Sequence, residues 1–87
     1  MSERLSFERL EEIERRCLAA TAGPWKSWWE GRDHCGGDSV ITTAGEDIYL
    51  LGATQADQDF IASARQDVPA LIEEVRALRS ELEGRRI

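Results

Sequence analysis

Residues 24–39, PWKSWWEGRDHCGGDS, gather most of the chemically versatile side chains of this chain. All three tryptophans (Trp25, Trp28, Trp29), the single histidine (His34) and one of two cysteines (Cys35) fall here, beside Arg32 and Asp33. A metal centre is the first chemistry such a set suggests. Asp33, His34 and Cys35 are consecutive, and Cys17 is the other thiol. A structural zinc site takes four ligands, usually from C-x2-4-C or H-x3-5-H pairs. Neither spacing occurs, and adjacent side chains of an extended chain point opposite ways, so no metal and no cofactor is expected. A Cys–His nucleophile, from His34 with Cys35 or Cys17, is the second. It needs an orienting third group and a pocket, and no G-x-S-x-G elbow accompanies it. The glycine-rich HCGGDS is the third. It does not read G-x-x-x-x-G-K-[ST], and no helix follows it. The expectation is a protein that is not an enzyme.

Recognition is the chemistry left to these residues. Strand alternation puts Trp25 and Trp29 on one face and Trp28 on the other. The Trp25–Trp29 pair is expected in the core, where tryptophan buries a large area. Trp28 then faces outward as a stacking platform beside Lys26, Arg32 and His34. The loop GRDHCGGD is longer than a minimal hairpin needs, and Gly36 and Gly37 can bring backbone amides close to a bound group. The candidate ligand-binding set is therefore Trp28, Trp29, Arg32, His34, Gly36 and Gly37, suited to a small anionic ligand. The plainer reading is a tryptophan core with a polar connection.

Length and charge bound what can be bound. Eighty-seven residues make a single small domain, 1–87, which buries about 60–65% of its unfolded surface and is stable by only a few kcal/mol. With 11 basic and 17 acidic residues, the net charge of −6 argues against a broad phosphate-backbone grip, so nucleic acid is not an expected partner. The stretch MSERLSFERLEE has no apolar h-region, and no run approaches the roughly 20 apolar residues of a membrane span. A cytoplasmic protein with reduced thiols, not engaged with a membrane, is expected.

The elements that must position these residues are readable from local signals. Ser6 is an N-cap, Leu5 and Leu10 form a hydrophobic staple, and Leu10, Ile13, Cys17 and Leu18 make an apolar stripe at helical spacing. This first helix should end near Ala22, with Gly23 left-handed and Pro24 beyond it. PWKSWWE, SVITT and DIYLL read as strands over about 25–30, 39–43 and 47–51, with AGE as a tight hairpin connection. Thr54 caps a second helical region, with Asp57 at the third position. There Ile61, Ala64, Val68, Leu71, Val75, Leu78 and Leu82 are spaced 3 and 4 alternately, a heptad with β-branched residues at most a positions and leucine at most d positions. That combination favours a parallel two-stranded coiled coil, in which Glu74 at g can meet Arg79 at the following e. Pro69 lacks an amide hydrogen and crowds the carbonyl of Arg65, so a break or kink is expected near 67–69, with a final helix over about 68–83. The expected fold class is α+β in the order αβββαα, helices on one face of a three-stranded antiparallel meander. Within the heptad, 61–71 can pack on the first helix and the sheet. Little is left to cover the rest, so Val68, Leu71, Val75, Leu78 and Leu82 are the expected interface of a homo-oligomer, most simply a dimer.

The segments AATAGPW (19–25) and DQDFIASARQDVPALIEEVRALRSELE (57–83) resemble the Ea22-like phage proteins and their small phage and bacterial relatives. Those carry proline where this chain has Ala22. The resemblance covers about 40% of the chain, at its two ends, and brings no catalytic residues. It implies an accessory phage protein that binds or sequesters a ligand or a host protein, such as an anti-defence protein binding a nucleotide-like signal. The alternatives are an adaptor whose heptad helix recruits a protein partner, and an enzyme using Cys35 or His34.

Overall fold

The computed structural model describes residues 4–33 and 37–85. Its elements are helix α1 (Phe7–Ala19), strand β1 (Lys26–Trp28), strand β2 (Val40–Thr42) and helix α2 (Gln55–Gly84). The α+β class holds. The meander does not, because the sheet has two strands, antiparallel, pairing Lys26 with Thr42, Ser27 with Ile41 and Trp28 with Val40. DIYLL contributes only a single bridge, in which Ile48 and Ile41 exchange both backbone hydrogen bonds at 2.9 Å. Past Ile48 the chain leaves the sheet. Tyr49 and Leu51 are exposed, and Gly52 turns with a left-handed φ of 82° toward α2. The AGE connection is held by Thr43, whose hydroxyl accepts from Gly45 N and donates to Glu46 O.

Both helix starts are built by local capping. Ser6 Oγ accepts from Arg9 N at 3.0 Å. Thr54 and Asp57 form a reciprocal capping box with both bonds at 3.1 Å, each satisfying an amide that has no partner within the helix. The end of α1 differs from expectation. Its C-cap is Ala20, in an extended conformation, and Gly23 is not left-handed but precedes Pro24 through a cis bond. Long-range bonds take over here: Thr21 O accepts from Trp25 Nε1 and Arg65 Nε, and Ala22 O accepts from Ala44 N. Gly23 allows close approach, since a Cβ there would come 3.3 Å from Gln66 Oε1 and that side chain would have to give by a few tenths of an ångström.

Nor does α2 break. It runs through Pro69 for 30 residues, about 45 Å at the usual rise. Pro69 removes one amide donor, while about four helical turns on each side retain theirs. Replacing it should therefore stabilise the helix: Pro69→Ala is expected to raise the urea midpoint, by about 1–3 kcal/mol of stability. An unchanged or lower midpoint would show that the pyrrolidine ring's packing outweighs the lost hydrogen bond.

Helix α1 packs against α2, and α2 packs on β1. Among the described residues the buried apolar side chains are Leu10, Ile41, Ala62 and Ile72, joined by one buried polar residue, Gln58. Ser27 and Ile41 form the sheet face turned to α2. The tryptophans do not fill this core: Trp25, Trp28 and Trp29 are all half-buried. Because β1 begins at Lys26 and ends at Trp28, Trp25 and Trp29 flank the strand, and the inward position belongs to Ser27.

Candidate functional site

Trp28 lies on the outward face of the sheet, as alternation implies, but it is engaged there. Its Nε1 donates to Thr42 Oγ1 at 3.0 Å, and Lys26 Nζ sits 4.1 Å from its ring centre. Lys26 and Thr42 are cross-strand partners, so the register itself builds this cation–π and hydrogen-bonded lid. Trp29 opens a compact turn in which Arg32 N and Asp33 N donate to Trp29 O while Asp33 Oδ2 accepts from Trp29 N. Gly37 N donates to Glu30 Oε2, and Glu30 N to Ser39 Oγ. His34 and Gly36 of the candidate set, and Cys35, lie outside the described residues.

Arg32 is a junction between this turn and α2. Its guanidinium reaches Asp33 Oδ2 at 2.7 Å and Asp59 Oδ2 at 2.8 Å. Hydrogen bonding to Asp33, then to Asp59, raises the guanidinium's pKa further. The arginine holds Asp33 below the usual carboxylate range, with help from Trp29 N. It does the same for Asp59, helped by the Ser27 hydroxyl. An anion at Arg32 must therefore compete with two carboxylates already in place. At the far end of the molecule Arg76 grips Glu14 through both oxygens at 2.7 and 2.9 Å and lowers its pKa, and Arg79 donates to Leu5 O. These pairs tie α1 antiparallel to α2.

The three depressed carboxylates set a direction with pH. In the unfolded chain Asp and Glu titrate near about 4, so on acidification the unfolded chain takes up protons first and stability falls. The contribution of these pairs is complete above about pH 5 and lost as pH drops through about 4. The urea midpoint is expected to be flat from neutrality to that point and then to decline. Arg32→Ala combined with Arg76→Ala should flatten the decline, and an unaltered acid limb would place its source elsewhere.

Gln58 was not signalled by the sequence, since a glutamine on a polar-looking helix face has no periodicity to mark it. It is 1% exposed, and its Nε2 donates to Ser27 Oγ (3.0 Å), Trp28 O (3.1 Å) and Val40 O (3.3 Å), bridging both strands to α2. Gln66 repeats the device one end further along, accepting from Trp25 N and donating to Trp25 O. Among the described residues no buried side-chain nitrogen or oxygen lacks a partner, and none form a cluster of three or more metal-ligating side chains.

The heptad stripe is where the molecule is least complete. The side of α2 that meets α1 and the sheet is 58, 62, 65, 69, 72, 76 and 79, each one residue beyond a heptad position or in line with it. One residue is about 100° of rotation, so the apolar stripe stands beside the packed one. Val68 and Val75 are half-buried, whereas Leu71, Leu78 and Leu82 are 62%, 50% and 49% exposed. Ile61, Ala64 and Val68 line a groove against Ile13, Arg16, Cys17, Ala20 and Trp25 of the first half of the chain. A shallow apolar depression with Leu50, Leu51 and Phe60 adjoins Ile61. A third cleft, of about 500 Å³, is lined by Pro24 and Pro69, with Cys17, Leu18 and Ile72 in its wall and Glu14, Arg65 and Glu73 around it.

The whole chain exposes 6838 Å², against about 5,200 Å² for a globular monomer of this mass. Its radius of gyration is 16.9 Å, against about 12 Å for a compact chain of this length. No described helix is long and apolar enough to cross a membrane. The chain matches no family model, no curated protein and no solved structure.

Proposed function

We propose that this is a non-enzymatic accessory protein of phage type that works as a homo-oligomer, most simply a dimer joined through Val68, Leu71, Val75, Leu78 and Leu82, and that holds a ligand or host factor. The observation that carries the self-association is the open leucine stripe beside a packed one on α2. Leu71, Leu78 and Leu82, 49–62% exposed along one face of the helix, present apolar surface of the kind that marks an interface.

The ligand-holding part of the reading is supported by the cleft between Pro24 and Pro69. Its size falls within the range of small-molecule sites, about 300–1,000 Å³, and its apolar wall carries charged groups of both signs. The loop set around Arg32 supports it less, since that guanidinium already holds two carboxylates. The adaptor reading differs only in what covers the leucine stripe: a helix of another protein in place of a second copy.

Sedimentation equilibrium of the purified chain between 1 and about 100 µM separates them, a range that spans the affinities of ordinary homodimers. A concentration-dependent rise to twice the chain mass is expected. A strict monomer would overturn self-association and leave the adaptor reading ahead. For the ligand, mass spectrometry of small molecules released by heating the purified protein is expected to find a bound species, and its absence would remove the sequestration part.

A further inference from the structure

We infer that the second copy docks parallel and in register, so that each α1 flanks the seam between the two α2 helices with Arg16 on the acidic row of the other copy's α2. This rests on the self-association just proposed and adds its geometry. The stripe that packs α1 and the open stripe are about 100° apart on α2, close to the right angle at which a corner helix of a four-helix assembly meets two neighbours. In heptad terms α1 occupies the e and b side, which leaves the g side free, and there the g positions of the last three heptads are Asp67, Glu74 and Glu81.

The edge of α1 that borders the open stripe is set by its helical spacing. Ile13, Arg16 and Ala20 line the groove with Ile61, Ala64 and Val68, and one turn earlier the same edge carries Arg9. Arg9 is already paired with Glu12 at 3.0 Å, so the cation this edge offers is Arg16, while the free edge of α2 is acidic. Two-fold symmetry along the helix axis brings the e side of one α2 against the g side of the other. The α1 of one copy then meets the g row of its partner, opposite charges facing: the level of Arg16 corresponds to Asp67. An antiparallel dimer would instead set g against g and α1 against α1, acid against acid and base against base, which is unfavourable at close range. Parallel pairing also places β-branched valines at a against one another and leucines at d, the combination preferred in parallel dimers.

Two experiments test the arrangement. Leu82→Cys in a Cys17→Ser, Cys35→Ser background puts two thiols opposite one another at the end of a parallel seam, within the Cα spacing a disulfide needs. Mild oxidation is expected to convert most of the dimer to a covalent one, whereas an antiparallel dimer holds these thiols far apart. Independently, Arg16→Glu should weaken dimerisation by about tenfold, and adding Asp67→Arg should restore it to within about threefold. A dimer that forms no disulfide, or a charge swap without rescue, overturns the parallel register while leaving self-association intact. A monomer at every concentration overturns both.

Discussion

Leu78→Asp should leave a folded chain that no longer self-associates. Leu78 is half exposed and lies one residue before Arg79, on the C-terminal, exposed part of the stripe. A carboxylate there meets water in the monomer and costs the fold little. In a paired seam it would be desolvated beside its symmetry mate, with Glu74 and Glu81 nearby, and an uncompensated buried charge is strongly destabilising. The dimer dissociation constant is expected to rise by at least about 100-fold, equivalent to roughly 2.7 kcal/mol. Sedimentation gives the constant, and heating at several concentrations gives a second readout. The parent's melting temperature should climb with concentration, as it must when folding is linked to association. That of the Leu78→Asp chain should not. A variant that sediments like the parent would show that the stripe is not the interface. One that loses its helical circular dichroism would mean that Leu78 supports the monomer, and the exposed Leu71 and Leu82 would then serve for the same substitution.

Gln58→Ala is expected to have the largest effect on the monomer itself. Removing the amide takes a side-chain donor from Ser27 Oγ, Trp28 O and Val40 O, and it opens a void beside the four apolar side chains buried among the described residues. Lost hydrogen bonds and lost packing together cost about 2–4 kcal/mol, close to the whole stability of a domain this small. Urea unfolding followed by tryptophan fluorescence should report it directly, because Trp28 sits on the strand that Gln58 holds. Gln58→Met separates the two contributions by restoring volume without hydrogen bonds. If Gln58→Met is as stable as the parent, the three hydrogen bonds contribute nothing. If it is nearly as unstable as Gln58→Ala, they dominate. Gln58→Glu should be worse than either, since an ionised carboxylate offers only acceptors to two carbonyls.

What the residues determined by themselves is local. Ser6, Thr54 and Asp57 act on amides within three residues of their own position, so the starts of both helices follow from the chain alone, as does the apolar heptad that α2 carries. Tertiary structure decided the features that depend on a distant partner. DIYLL has the composition of a strand, yet only Ile48 pairs, because strand pairing requires an edge in register and the chain turns away at Gly52 to begin α2. Gly23 and Pro24 carry the signature of a helix stop, but α1 ends earlier, where Thr21 O accepts from Trp25 and from Arg65, 44 residues later in the chain. Pro69 signals a break, and the flanking turns carry the helix across it at the loss of one hydrogen bond. The rare residues of PWKSWWEGRDHCGGDS suggested a site. In the fold Arg32 spends its charge on Asp33 and Asp59, and Trp28 is capped by Lys26 and Thr42. Above all, the heptad could not say which face of α2 would turn inward. The more polar stripe one residue over was taken by α1 and the sheet, since Gln58, Gln66 and Arg76 find specific partners there. The leucines were left outside, 49–62% exposed.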